Sequence, residues 1–278
     1  MTKYKKMRTL KSVLSIIAAS AVITSCNTAT KNNEDGVLND SVATVGDTTG
    51  SISVQPLAHA KEFPGATLKI SSLTSEKVGT DSAKITVKYD VQNFQLTDQT
   101  EHTHHMANSH EGQHIHFILD NTPYAALYKP EHTFTVANNS EHYLLSFLSR
   151  SFHESIKTAD ASKLVKFSVE SDGSIKELPT PTEPSLFYSR PKGDYKGDDS
   201  NVLLLDYFVV NTTLGAEGNK VKADINGQEF ILDQWVPYEV LNLPKGEATF
   251  KLTLIDKDGN AVTGDNVSIE RKVNLTAE

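Results

Sequence analysis

Two stretches of this 278-residue chain carry the same strand pattern, and the spacing between the copies changes partway along. YDVQNFQL (89–96) lies over YFVVNTTL (207–214), sharing Tyr89/Tyr207, Val91/Val209, Asn93/Asn211 and Leu96/Leu214 at an offset of 118. Further on, GQHIHFILDN (112–121) lies over GNKVKADING (218–227), and SEHYLLSFLSR (140–150) over GEATFKLTLID (246–256), both at an offset of 106. Identities are few, chiefly Gly112/Gly218, Glu141/Glu247 and Leu148/Leu254. What recurs is the position of strand, turn and glycine. The fall from 118 to 106 puts 12 extra residues into the first copy, between Leu96 and Gly112.

Helical periodicity is nearly absent. Short alternating or β-branched runs dominate, among them AKITVKYDV, HIHFILD, TFTVA, YLLSFL, NVLLLDYFVV, KVKADI and ATFKLTLID, each closed by turn residues. The pattern predicts an all-β chain of two tandem immunoglobulin-like antiparallel β-sandwiches. The proline-rich ELPTPTEP (177–184) marks the boundary, giving a first sandwich over 63–178, with a loop insertion at 97–111, and a second over 183–275.

Residues 1–25 read as an export signal. Lys3, Lys5, Lys6, Arg8 and Lys11 form a basic start, followed by an apolar run too short to span a bilayer. Ile23-Thr24-Ser25-Cys26 is similar to a bacterial lipobox, which predicts acylation of Cys26 and anchorage in the outer membrane, with the lipid bilayer as the chain's first partner. Cys26 is the only cysteine, so no intrachain disulfide can hold the fold. Loss of residues 1–25 lowers Lys+Arg from 27 to 22 against 35 Asp+Glu, and the net charge moves from −8 to −13. A chain this acidic has no electrostatic reason to seek nucleic acid. Residues 26–62, rich in Asn, Thr, Ser, Asp and Gly, are expected to form a flexible tether beyond the acylated Cys26.

The insertion is TDQTEHTHHMANSHE, and nine of the ten histidines lie between residues 102 and 153. His110, Glu111 and His114 satisfy H-E-x-x-H, a zinc-protease signature when it lies on a helix. Gly112 sits inside the motif at the mouth of a predicted strand, so the two imidazoles straddle a loop and a strand. The motif therefore predicts no protease, and the chain is expected not to be an enzyme. On the strand, alternation puts His114 and His116 on one face and Ile115, Phe117 and Leu119 on the other. That histidine face is expected to be exposed. The insertion could fold over it and supply His102, His104, His105 or His110, making a site for Cu or Zn, with Met106 favouring copper. His142 shares a face with Leu144 and Leu148 and is expected to be a satisfied histidine at the core margin.

A second candidate is anionic recognition. FLSRSFHESIK (147–157) and FYSRPKGDYK (187–196) each carry Ser-Arg after an apolar run, and Arg150, His153, Lys157, Arg190 and Lys192 could converge on a phosphate or carboxylate. The plainer expectation is that these arginines cap the sandwiches and pair with acids.

GQHIHFILDN, EHYLLSFLSRSFHESIK, EPSLFYSRPKGDYKG and PYEVLNLPKGEATFKLTLIDKDG together resemble a family of uncharacterised Bacteroidota lipoproteins over most of residues 65–275. Some of its members carry the automated name phosphopeptide-binding protein. The resemblance implies an envelope location and an envelope protein or peptide as partner, and it carries over to His114, His116, His142, Arg150, His153, Tyr188, Arg190 and Lys192. The expectation is a membrane-anchored binding or interaction module, with metal binding through the histidines, phosphopeptide or acidic-ligand binding through the arginines, or a spacer role in a surface complex.

Overall fold

The computed structural model describes residues 50–57, 61–101 and 106–278. The export signal, Cys26, most of the expected tether, and His102, His104 and His105 lie outside the described residues. Asp47–Glu278 forms one compact unit. Within the described residues, no helix is long and apolar enough to cross a membrane.

The chain is all-β and makes two tandem antiparallel sandwiches. The first strand among the described residues, however, belongs to the second one. Strand β1 (Ser53–Pro56) pairs with β15 (Tyr238–Leu241), so the tether expected through residue 62 is corrected at this point. Ile52 reaches the second core and Leu57 packs with Leu204, which gives the polar segment enough apolar contact to settle as an edge strand.

The first sandwich sets β2 (Thr67–Val78), β3 (Ser82–Gln92) and β6 (Glu131–Ala137) against a second sheet. That sheet runs β5 (Ala125–Leu127), β4 (His114–Leu119), β7 (Ser140–Ser149), β8 (Ser162–Val169) and β9 (Ile175–Leu178). The inner residues follow the period of two: Ala83, Ile85, Val87 and Tyr89 on β3 meet Ile115 and Phe117 on β4, and Leu144 and Leu148 on β7.

The second sandwich repeats the plan. Strands β10 (Ser185–Arg190), β12 (Val202–Val210) and β15 are extended by β1 on one side. Opposite them lie β11 (Gly193–Lys196), β17 (Ser268–Thr276), β16 (Gly246–Ile255), β13 (Lys220–Ile225) and β14 (Gln228–Leu232). With the added edge strand β11 left out of the count, the first, second and fifth strands of each copy share one sheet, while the third, sixth and seventh share the other, which is the Greek-key division of an immunoglobulin-like sandwich. Strand β1 stands where such a sandwich has its fourth strand. Strand β11 runs parallel to β17 and closes the opposite edge.

The duplication extends to single hydrogen bonds. Asp120 N–H donates to the Tyr143 carbonyl at 2.8 Å, and Asn226 N–H to the Thr249 carbonyl at 3.0 Å. Asp120 and Asn226 also each accept from a backbone N–H, of Tyr143 and Thr249, at 2.8 Å. Both have positive φ, 50° and 51°, in hairpin turns that Asx residues tolerate. The loop from Gln92 to His114 is 12 residues longer than that from Val210 to Lys220, as the change of offset requires.

Candidate metal centre between the sandwiches

Strand β4 does put His114, His116 and Ile118 on the face opposite Ile115 and Phe117. The expectation that this face is exposed is wrong. His114 and His116 have no solvent exposure, because the second sandwich packs against the outer face of the β4–β7 sheet. An aromatic cluster joins the two: Ile118, Tyr124, Leu145, Phe147 and Leu164 from the first sandwich meet Phe187 and Phe208 from the second. Polar contacts fix the register. Asn121 donates its side-chain amide to the Leu186 carbonyl and accepts from Tyr188 N–H, both at 2.9 Å.

The third histidine of the cluster comes from the turn between β7 and β8. His114 Nε2 lies 2.9 Å from His116 Nε2 and 3.1 Å from His153 Nδ1. The three ligand nitrogens fall within 4.8 Å of one another, and among the described residues no other group of three His, Cys, Asp or Glu side chains does this. Nitrogens bound at the usual ~2.0–2.1 Å to a tetrahedral ion are about 3.4 Å apart, so small ring adjustments would bring all three onto one ion.

Sequence reasoning set His153 among the anion-binding candidates and gave it no place here. The signal was in the repeat. Continued past Arg150, the offset of 106 aligns His153 with Gly259, and the two turns share their bonds: His153 N–H to the Arg150 carbonyl, Gly259 N–H to the Asp256 carbonyl. Gly259 has φ 86° and His153 has φ 71°, a left-handed conformation that costs a non-glycine residue about 1 kcal/mol or more. An imidazole stands where backbone geometry asks for glycine.

Partners set the tautomers. His114 Nδ1 is 2.8 Å from the Gly112 carbonyl, which can only accept, so this nitrogen carries the proton and Nε2 presents a lone pair to the cluster. His116 Nδ1 faces the Ser189 hydroxyl at 3.1 Å, and His153 Nδ1 faces the Tyr124 hydroxyl at 3.1 Å. Without an ion, His116 Nε2–H can donate to His114 Nε2 while Ser189 donates to His116 Nδ1. With an ion, the His116 proton moves to Nδ1 and Ser189 accepts. A tautomer change at His116, small ring adjustments and a turn of the Tyr124 hydroxyl separate the two states.

Burial keeps the rings neutral. It lowers His114 to about 4, and it lowers His116 and His153 well below the ordinary imidazole range. The nearby charges of Arg190 and Lys192 push in the same direction. Neutral imidazole is the ligand form of histidine.

Among its described residues, the insertion folds over the site through Ala107 and Ser109, while His102, His104 and His105 lie outside them. Ala107 lines a small cavity with His153, Phe152, Arg190, Tyr195 and Leu204. Ser109 holds the Tyr128 hydroxyl at 2.7 Å, and the Tyr128 ring packs 5.2 Å from that of His114. His110 is exposed and outside the cluster. Met106 is buried against Leu57 and Leu204. The H-E-x-x-H motif lies on a turn and a strand, as its glycine implied. Gly112 has φ 87°, and a Cβ there would meet the Thr97 carbonyl oxygen at 2.2 Å.

The five anion candidates do not assemble into one site. Arg150 binds Glu154 at 2.9 Å, and Lys157 binds Asp206 at 2.7 Å, a balanced buried group in which desolvation raises Glu154 to about 7. Arg190 and Lys192 lie apart from that group, beside Tyr124 and Tyr195, and His153, which shares a small cavity with Arg190, lies with the other histidines. His142 is satisfied as expected, between Asp120 and Ser140, each at 2.6 Å.

No family model matches the chain, and no curated protein matches it. Similar solved structures include the fibronectin(III)-like modules of Clostridium thermocellum CbhA, 11% identical, covering 76% of this chain and 95% of that one at a TM-score of 0.27. The central fibronectin-III array of RIM-binding protein is 8% identical, covering 76% and 70% at a TM-score of 0.24. The two tandem V-type regions of VCBP3, a v-region-containing chitin binding protein, are 9% identical, covering 76% and 99% at 0.22.

Proposed function

We propose that this chain is an envelope lipoprotein, anchored through Cys26, whose paired sandwiches bind one metal ion at His114, His116 and His153. The observation that carries the reading is the convergence of three neutral imidazole nitrogens, two on buried rings and one on a partly buried ring whose backbone position glycine would fill without strain. The ion that suits it best is cuprous copper. Imidazole accepts zinc and copper alike. Arg190 and Lys192, however, stand close enough to act on all three rings, and their repulsion of a dication is twice that of a monocation. Two of the three rings are fully buried and the third partly so, which leaves little room for further ligands and suits a small coordination number.

The test is metal content and affinity of the purified protein under reducing and oxidising conditions. One equivalent of Cu(I) is expected, outcompeting Zn(II), and lost in His153→Ala as well as in His114→Ala/His116→Ala. Retention of full stoichiometry in either variant would assign the metal to the insertion loop and overturn this site. The pH profile separates the two further. Exposed histidines surrender an ion as they protonate around pH 6.5. The buried site is already deprotonated there, so its affinity should stay level from pH 8 to pH 6.

A further inference from the structure

Next to the histidines, the structure leaves a buried positive charge unanswered. Arg190 is only 8% exposed, donates from Nη1 to the Tyr195 hydroxyl at 2.8 Å, and has no acceptor for its buried Nε. Arg271 rests 4.5 Å above the Tyr188 ring and donates from Nη2 to the Asn121 carbonyl at 2.7 Å, leaving its buried Nη1 without an acceptor. The Tyr188 hydroxyl is also buried and without a partner. Lys192 lies over the Tyr124 ring at 4.2 Å, within the field of both arginines. Among the described residues, no carboxylate comes within ion-pair distance of Arg190, Lys192 or Arg271.

The contrast is with Arg150 and the partly buried Lys157, each with its own acid. Taking a guanidinium out of water without a counter-charge costs several kcal/mol, and an unpaired buried donor costs about 1–3 kcal/mol more. Three donors idle in one cluster are a ligand-shaped deficit. We infer that Arg190, Arg271 and Tyr188, with Lys192 at the margin, form a binding site for a small monovalent anion of about chloride size.

Size follows from the enclosure. Tyr188 has no solvent exposure and Tyr195 has 4%, so the donors are enclosed. A phosphorylated peptide has no room. The ligand groups are arginine and phenol donors, so the site asks for an acceptor and offers a cation nothing. None of its donors is a proposed metal ligand, so loss of the anion and loss of the metal are read separately, although Arg190 also borders His153.

Chelator-treated protein is unfolded thermally in sodium gluconate, with sodium chloride, bromide, acetate or phosphate substituted at constant ionic strength. Chloride and bromide are expected to raise Tm saturably. In Tyr188→Phe, which keeps the ring under Arg271, the apparent Kd for chloride should rise several-fold, and in Arg271→Gln at least tenfold. Crystals grown in bromide should show an anomalous peak against Arg190. Equal chloride shifts in all three proteins, no saturable shift, a stronger response to phosphate than to chloride, or an ordered water alone at the donors would each overturn the proposal.

Discussion

At the scale of single residues, His153 separates what the fold wants from what the site wants. Its φ of 71° suits glycine, and its counterpart in the second sandwich is Gly259. His153→Gly should therefore be more stable than His153→Ala by about 1 kcal/mol, reversing the usual order of those two residues. Urea denaturation with chelator present measures this, and both variants should lose the metal. The same three rings set the acid response. Each histidine has a folded pKa below its unfolded value, so its contribution is whole above about pH 6.5 and is lost as pH falls toward the folded value, about 4 for His114. Glu154 runs the other way. Raised to about 7 from 4.5, it penalises the fold above pH 7 and ceases to do so as pH falls. Three protons against one leave a net two, so metal-free protein should lose about 2–3 kcal/mol per pH unit between pH 6 and 5. Glu154→Gln should steepen that slope, and a flat urea midpoint across the range would mean that the rings are not buried as described.

At the scale of elements, the chain's spacing disclosed the duplication, the inserted loop and the inward face of β4, because each depends on local periodicity. The cover over the outward face was not legible. Alternation says that His114 and His116 point away from the first core, but Phe187 and Phe208, which bury that side, arrive from a strand pair some 70 to 90 residues later. Strand β1 was missed for a related reason: its stability comes from pairing with β15, far along the chain, and its own composition reads as tether. The inserted loop was found, yet its exposed His110 drew attention that belonged to a turn elsewhere. The loop's real constraint is Gly112. With φ 87° and the Thr97 carbonyl against its Hα side, Gly112→Ala must displace the loop's base. A loss of about 3 kcal/mol or more is expected, with hydrogen exchange accelerating first around Thr97 and Gln113, whose backbones bond there at 2.8 Å.

At the scale of the whole molecule, every proposed metal ligand belongs to the first sandwich, while the dryness of the site belongs to the second. Ser189, Arg190, Tyr195 and Leu204 close over rings that a single sandwich would leave in water. The depressed pKa values are thus a property of the junction, held by the stack of Phe147 on Phe208 at 4.8 Å and the edge-to-face contact of Phe208 with Trp235 at 4.9 Å. Phe208→Ala should cost about 3–5 kcal/mol at that junction while leaving both cores intact. Calorimetry should then resolve two transitions where one is expected for the parent protein. With the lid loosened, water reaches His114 and His116, their pKa values climb back toward 6.5, and metal affinity acquires the pH dependence between 8 and 6 that the intact protein lacks. If Phe208→Ala splits the transition yet leaves affinity level across that range, the first sandwich alone keeps its histidines neutral, and the second is a neighbour and no part of the site.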